Sequence, residues 1–189
     1  APEDPFPAAV EDAKAALSWV ESNAASIDGD PERLAVAGSS AGGTLAAALA
    51  RWSRLDETPS LDHALLLYPI IDPAATTTVP DAPLLSRADV DWFWDLYLRD
   101  SEDRAHPDAT PAAWADSSGL PPFTIVSAGF DPLGAEATAF AERLASAGVP
   151  VDHQHYPRLS HGFLSLADRV DTAADAMSAA TDRLRRSAH

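Results

Sequence analysis

The chain has 189 residues, 46% of them hydrophobic, and its 29 acidic and 13 basic residues give a formal net charge of −16. This length and composition predict one folded domain with a core and argue against disorder. The negative charge disfavours binding to nucleic acid or to an anionic membrane, so neither is an expected partner. The chain has no cysteine, which excludes disulfides, a thiol nucleophile and thiolate metal sites.

The beginning of the chain gives little information about its cellular compartment. It contains no signal peptide, and no run of 18 apolar residues that would predict a transmembrane helix. We expect a cytoplasmic protein. The opening "APEDPFPAAVEDAKAAL" lacks an initiator Met and enters a helical pattern almost at once, so further polypeptide is expected before it.

Helical and strand patterns alternate along the first part of the chain. Hydrophobic residues recur at three- and four-residue spacing over Val10–Ala24, which predicts an amphipathic helix. The apolar run Arg33–Gly38 predicts a buried strand, and Leu45–Trp52 marks the helix that follows it. His63–Ile71 is apolar throughout, as expected for a strand with both faces of the sheet covered.

The segment Thr76–Pro111 interrupts this alternation. Ser86 and Asp89 have the spacing of a capping box, which predicts the start of a helix. One face of that helix would carry Val90, Phe93, Trp94 and Tyr97.

The alternation resumes after this segment. Phe123–Gly129 predicts a third strand, and a helix follows it over Ala137–Leu144, closed by Gly148. Val151–Tyr156 predicts a fourth, more polar strand, and Leu166–Leu184 a last helix. The order predicts an α/β fold with a mostly parallel sheet and right-handed crossovers. The polar fourth strand is expected at an edge of the sheet, where it is a candidate contact in a homodimer.

A glycine-rich junction joins the first strand to its helix and reads "LAVAGSSAGGTLAAAL". Gly38 and Gly42 place Ser40 in the frame G-x-S-x-G, whereas alanines occupy the corresponding positions around Ser39. This frame is typical of a nucleophile elbow, which exposes a serine on a sharp turn between strand and helix. A helix that begins near Ala41 would aim its first N–H groups at a developing oxyanion. The alternative is a turn in which the serines only cap the helix.

A serine nucleophile needs a general base and an acid, which this class of fold supplies in the order serine, acid, histidine. His161, in "YPRLSHGFLSL", stands in the predicted loop between the last strand and the last helix. Asp131, in "SAGFDPLG", directly follows the third strand and is the first candidate for the acid. Asp72 also ends a strand and is the reserve candidate. Considered alone, either aspartate would be interpreted as a turn former.

The remaining histidines are less suitable candidates for the general base. His63 precedes a strand, His106 lies in a proline-rich stretch, and His189 is terminal. His153 and His155 share a face of the fourth strand and could bind a metal at two points. No third ligand is evident, so paired surface histidines are the preferred interpretation, and neither a metal nor a cofactor is expected.

Several stretches in one order resemble a known family. "APEDPFPAAVEDAKAALSWV", "GSSAGGTLA", "LLLYPIID", "SGLPPFTIVSAGFDPLGAEATAFAERLASAGVPV" and "HGFLSL" resemble the hormone-sensitive-lipase-like α/β-hydrolase carboxylesterases over nearly the whole chain. The resemblance implies that residues 1–189 form part of an α/β-hydrolase catalytic domain. It also implies that 76–111 belongs in part to a small cap over the substrate pocket.

The resemblance further implies roles for individual residues. Ser40 would be the nucleophile, His161 the base and then the acid, and Asp131 its orienter, with Ala41 as an oxyanion donor. Residues implied to lie near the substrate are Ser39, Phe93, Trp94, Tyr97 and Phe163. For the aromatic helix face, ordinary helix packing is an equally good explanation.

The chain departs from the family pattern in three respects. Ser39 stands where the family usually has Asp, and the acid turn keeps only Glu136 of the usual Arg-Asp-Glu-Gly. The family's HGGG oxyanion loop does not occur here, and four strands are visible where the fold usually has eight. The chain is thus expected to be a segment, one of two separate pieces, or a remnant. We expect the N-terminal part of the same fold to complete the sheet beside Arg33–Gly38 and to bring a glycine-rich loop near Ser40.

The sequence therefore predicts a serine carboxylesterase that hydrolyses small acyl esters through an acyl-enzyme. An amidase or deacetylase acting on a specialised metabolite would use the same triad. A non-catalytic ligand-binding protein on this fold is the third alternative. Relatives of that kind have lost the catalytic histidine, so His161 argues against it.

Overall fold

The computed structural model describes residues 1–55, 59–79 and 81–187. Within them, four parallel strands form one sheet in the order β1-β2-β3-β4. The strands are β1 (Leu34–Ser39), β2 (Leu61–Leu67), β3 (Phe123–Phe130) and β4 (Val151–Ser160). The α-helices of the described residues are α1 (Ala8–Asn23), α2 (Ala41–Arg54), α3 (Arg87–Tyr97), α4 (Gly134–Ser146) and α5 (Asp171–Ser187). The predicted α/β fold with a parallel sheet is confirmed.

Helices cover both faces of this sheet. On one face, α1, α2 and α4 pack against side chains such as Leu66 and Ile125. On the other, α5 packs against Leu65 and Val126. Adjacent residues of a strand point to opposite faces, so β2 and β3 are apolar at successive positions because each face meets a helix.

The two outer strands are less enclosed. In β1, Leu34 and Val36 are buried while Ala35 and Ala37 are exposed, so helices cover only one of its faces. β4 forms the other edge of the described sheet, as its polar sequence predicts. Pairing of two copies of the chain through Val151–Tyr156 stays a prediction.

Two strands end elsewhere than the sequence predicts. β2 stops at Leu67 rather than Ile71, because Tyr68 has a positive φ of 39° and Pro69 has no N–H for the ladder. β4 continues past Tyr156 to Ser160, because a register shift opposite Ala128–Phe130 accommodates the intervening residues as a bulge.

The last helix begins at Asp171 instead of Leu166. Leu166 belongs to a short 3₁₀ helix, Phe163–Leu166, that starts after the left-handed Gly162. Leu166 precedes Val170 by four residues, which is a helical spacing, but Leu166 does not belong to α5.

Helix α3 begins as predicted. Ser86 accepts a hydrogen bond from the Asp89 N–H and the Asp89 side chain accepts one from the Ser86 N–H, which together make the capping box. The helix packs through Val90 and Trp94 into a third cluster with Phe6 and other buried residues. Among the residues that the structure describes, no helix has both the length and the hydropathy needed to cross a membrane. Assignment of Thr76–Pro111 to a cap stays a prediction.

Candidate active site

Ser40 occupies the turn between β1 and α2, with φ 54° and ψ −120°. A non-glycine residue in this region costs about 1–3 kcal/mol, so its surroundings must hold it. Its N–H donates to the Leu67 carbonyl at 2.9 Å, and its own carbonyl accepts from the Ile70 N–H at 3.3 Å. Its side chain does not cap α2. The interpretation of Ser40 as a helix cap therefore finds no support.

Two glycines allow the backbone to make this turn. A Cβ at Gly38 would lie 2.0 Å from the Gly42 carbonyl oxygen, so the strand passes too close to the helix for any side chain. A Cβ at Gly43 would lie 2.7 Å from the Pro69 Cβ. At Gly42 a Cβ would meet no atom within 4 Å of the residues described. Gly38 and Gly43 are therefore the glycines of this turn where a side chain would not fit. The G-x-S-x-G frame instead marks Gly38 and Gly42.

The structure brings Ser40, His161 and Asp131 together. The Ser40 Oγ lies 3.1 Å from His161 Nε2, and His161 Nδ1 lies 2.8 Å from Asp131 Oδ2. A carboxylate only accepts hydrogen bonds, so the neutral imidazole carries its proton on Nδ1 and leaves Nε2 to accept the Ser40 hydroxyl proton. This arrangement can remove a proton from Ser40 and stabilise the imidazolium that forms.

The acid in this chain of hydrogen bonds is Asp131, which is only 1% exposed. Its second oxygen accepts the Leu133 N–H at 2.9 Å, which fixes the carboxylate plane. The reserve candidate Asp72 instead accepts the N–H of Ala74 at 2.8 Å, the local turn contact of an ordinary aspartate.

A close approach of β3 and β4 sets the separation of the acid and the histidine. A Cβ at Gly129, two residues before Asp131, would lie 2.3 Å from the Pro157 carbonyl oxygen. Pro157 is part of the bulge that precedes His161. Glycine therefore lets the two strands approach closely just before they deliver Asp131 and His161.

Tyr68 is a site residue that the sequence reasoning missed. Its ring packs edge-on against the His161 ring, with centroids 4.9 Å apart, and it contacts Phe163 at 5.9 Å. Burial, and then the charge of Asp131, raise the pKa of Tyr68, so its phenol stays neutral. Its position just after an apolar strand, in "LLLYPIID", was the available signal.

An apolar cavity of about 310 Å³ lies beside Ala41, the residue after Ser40. Three of the predicted substrate residues, Phe93, Trp94 and Tyr97, line it. The other lining residues are Ala1, Ala9, Thr44, Leu45, Ile70, Val90 and Leu96.

The two other predicted substrate residues lie elsewhere. Phe163 is 3% exposed and packs with Tyr68 and Tyr156 in the core under α5. It borders a different cavity, of about 260 Å³, together with Ser160 and Phe130. Ser39 is exposed at the end of β1. Substrate contact by Phe163 and Ser39 stays a prediction.

A second serine bonds to the histidine pair. Ser127, in the middle of β3 and fully buried, lies 2.8 Å from His153 Nε2 and 2.9 Å from His155 Nδ1. His63 bonds to Thr124 at 2.9 Å, His106 accepts the Asp108 N–H, and His189 falls outside the described residues. The part of the chain that the structure describes contains no group of three or more His, Asp or Glu side chains placed to hold a metal.

Comparison with known proteins defines the family. The model of a family described by its alpha/beta hydrolase fold matches residues 1–165. Carboxylesterase NlhH of Mycobacterium tuberculosis is 39% identical over the entire chain, which covers 61% of that relative. Carboxylic ester hydrolase LipN of the same species is 43% identical over 88% of the chain and 47% of its own length. The crystal structure of esterase LipW from Mycobacterium marinum superposes with a TM-score of 0.93 at 34% identity, over 98% of this chain and 60% of that one.

The chain belongs to the α/β-hydrolase fold family, in its branch of hormone-sensitive-lipase-like carboxylesterases. This confirms the resemblance found in the sequence. The chain spans between about half and three fifths of the length of these relatives.

Proposed function

We propose that the protein is a serine carboxylesterase that hydrolyses small acyl esters through an acyl-enzyme. The hydrogen-bond chain from Ser40 through His161 to Asp131 is the observation that carries this proposal. The names of the relatives, which are carboxylesterases and esterases, support ester hydrolysis as the reaction.

In this mechanism the Ser40 hydroxyl attacks the carbonyl carbon of the ester while its proton moves to His161 Nε2. Asp131 stabilises the imidazolium, and the Ala41 N–H, at the start of α2, donates to the oxyanion. The imidazolium then gives its proton to the departing alcohol. A water molecule, deprotonated by His161, releases the acid from Ser40 and restores the enzyme.

The cavity beside Ala41 supports a small apolar acyl group as substrate. Its walls are apolar and aromatic, including Phe93, Trp94 and Tyr97 from α3. Such walls bind hydrocarbon by removing it from water and supply few hydrogen bonds to a polar group.

Covalent labelling with a fluorophosphonate, located by mass spectrometry, tests this proposal. We expect the label on Ser40, and Ser40→Ala should abolish it, because within the described ranges His161 Nε2 bonds to no other hydroxyl. The matched variant Ser39→Ala, one residue away on the same turn, should keep most of the labelling. Labelling that persists in Ser40→Ala would contradict the assignment. Faster hydrolysis of p-nitroacetanilide than of p-nitrophenyl acetate would favour an amidase instead.

We propose in addition that further polypeptide pairs with the free edge of β1. Ala35 and Ala37 of this strand are exposed, and β2 is its single neighbour in the described sheet. Unpaired N–H and C=O groups beside exposed apolar surface favour pairing with another strand. A loop there would supply a second oxyanion donor, worth about a hundredfold to a thousandfold in rate. Residues 1–189 alone should therefore hydrolyse p-nitrophenyl acetate far more slowly than a longer chain, and equal rates would contradict this.

A further inference from the structure

The residues just after β2 support both Ser40 and His161. We call Tyr68–Asp72 the supporting segment. Its Ile70 N–H donates to the Ser40 carbonyl, and its Ile70 carbonyl accepts the Thr44 hydroxyl of α2 at 2.7 Å. Its Tyr68 ring packs on the His161 ring. Because Ser40 has a strained backbone conformation, its geometry depends on neighbours of this kind.

A single buried carboxyl holds the other end of the supporting segment. Glu136 Oε1 accepts the Ile71 N–H at 2.7 Å and lies 3.5 Å from the Asp72 nitrogen. Glu136 stands in the first turn of α4, five residues after Asp131. It therefore connects the helix that follows the acid to the segment that supports the serine and the histidine.

Glu136 is buried without a close partner among the described residues for its second carboxylate oxygen, so an ion pair does not explain its position. Its side chain is 2% exposed, and Arg87 Nη1 lies 3.9 Å from Oε2, beyond hydrogen-bond distance. Neither of these two atoms has a hydrogen-bond partner in the described part of the chain. A buried carboxyl with one oxygen left without a hydrogen bond stabilises a fold poorly, because nothing offsets the loss of its contacts with water. What it does make is a short hydrogen bond to the supporting segment.

The protonation state of Glu136 suits this contact. Burial raises its pKa to about 8, against the N–H groups of Ile71 and Asp72 and the charge of Arg87, while the charge of Asp72 raises it further. At neutral pH the carboxyl is mostly uncharged and still accepts through Oε1. A glutamine has the same length and the same acceptor, so it should reproduce the contact, whereas alanine cannot.

We propose that Glu136 is a positioning residue, which holds the supporting segment so that Ser40 and His161 keep their reactive geometry. The effect of Glu136 on the rate of labelling at Ser40 rests on the proposed function. The claim that Glu136 holds the segment rests on the hydrogen bonds alone.

The test compares Glu136→Ala with Glu136→Gln in the whole gene product. Glu136→Ala should slow fluorophosphonate labelling of Ser40 by about tenfold or more, because a displacement of about 1 Å at a reacting group costs up to a hundredfold. Glu136→Gln should restore the rate to within about threefold of the parent protein. Circular dichroism must show that every variant is folded at the temperature of the assay.

The matched control is Asp103→Ala, which removes another buried carboxyl, one that pairs with Arg99 instead. It should lower thermal stability and leave the labelling rate unchanged. An unchanged rate in Glu136→Ala, or an equal loss in Asp103→Ala, would overturn the inference. Failure of Glu136→Gln to restore the rate would also overturn it.

Hydrogen–deuterium exchange separates this inference from the proposed function. In Glu136→Ala, peptides covering 67–72 and 38–44 should exchange faster than in the parent protein, and in Asp103→Ala they should not. If the parent protein is not labelled at Ser40, the proposed function is wrong and the exchange result alone decides whether Glu136 holds the segment. Unchanged exchange in Glu136→Ala would then overturn the inference.

Discussion

Among the residues that the structure describes, two serines, Ser40 and Ser127, bond to imidazoles, and of these we propose that Ser40 is the one that reacts. Ser40 stands at a strand end, partly exposed, and its histidine bonds to the buried Asp131. Ser127 lies within β3, fully buried, between His153 and His155. Its single hydroxyl proton can go to one imidazole only, so it must accept from the other.

The difference indicates what Ser40 has, beyond a histidine, that supports its proposed role as a nucleophile. Ser40 is partly exposed on its turn at the start of α2, with a cavity next to Ala41 and a carboxylate behind its histidine. Ser127 has two histidines but is closed off from solvent, so a substrate cannot approach its oxygen. We interpret the Ser127 group as a structural link between β3 and β4.

Removing the carboxylate should make the Ser40 group resemble the Ser127 group. Asp131→Asn should lower esterase turnover by about a thousandfold to ten thousandfold, because the amide cannot orient and stabilise the imidazolium. Stopped assays with p-nitrophenyl acetate, with circular dichroism to show the fold intact, measure this effect.

The control for the acid is Asp72→Asn, because the Asp72 side chain accepts the Ala74 N–H, whereas the Asp131 side chain bonds to His161. We expect a loss smaller than about threefold there, because the asparagine side-chain oxygen can still accept the Ala74 N–H. A larger loss in Asp72→Asn than in Asp131→Asn would show that the wrong carboxylate had been chosen.

Substitution of the second serine, Ser127, should have the opposite result, in which stability falls and labelling is unchanged. Ser127→Ala should lower the free energy of unfolding by about 1–3 kcal/mol, because it removes a buried hydroxyl that serves two imidazoles. Fluorophosphonate labelling of Ser40 should continue at the parent rate. Urea unfolding of this variant beside Ser146→Ala, an exposed serine with a local bond, measures the difference. Loss of labelling with stability unchanged would give Ser127 a role in the reaction.

The smallest predicted effect is on how the free energy of unfolding changes as the pH falls. Burial, and then the charge of His155, lower the pKa of His153, while Glu142 and Asp152 raise it less. The unfolded chain therefore binds more protons near the ordinary pKa of histidine, about 6.5, and stability falls as the pH drops below that value. His153→Gln should flatten the loss of unfolding free energy between pH 7 and 5. An equally steep loss in that variant would place the acid sensitivity elsewhere.

The sequence was informative wherever a local rule decides the structure. The frame around Ser40 distinguishes it from Ser39, and the predicted loop between the last strand and the last helix distinguishes His161 from the other histidines. The capping box at Ser86 and the start of α2 at Ala41 were also predictable, because each depends on residues close in sequence.

What the sequence could not provide depends on contacts between distant residues. The bulge in β4 exists because Gly129 admits the Pro157 backbone, 28 residues away in the chain and unmarked by any spacing. Tyr68 packs on His161, and Glu136 bonds to Ile71, only because the fold brings residues together that are far apart in the chain. β2 ends early for two reasons. Pro69 could be read from the sequence, whereas the positive φ of Tyr68 could not be predicted from it.

The catalytic candidates come from the ends of three separate strands. Ser40 follows β1, Asp131 follows β3 and His161 follows β4, while β2 lies between the first two and has no member of its own. A slip of one residue in any of these strands would turn its side chains to the opposite face of the sheet. The reactivity proposed for Ser40 would therefore depend on the register of these strands. The fraction of chains that an active-site label captures in a crude cell extract would accordingly count the correctly folded molecules without purification.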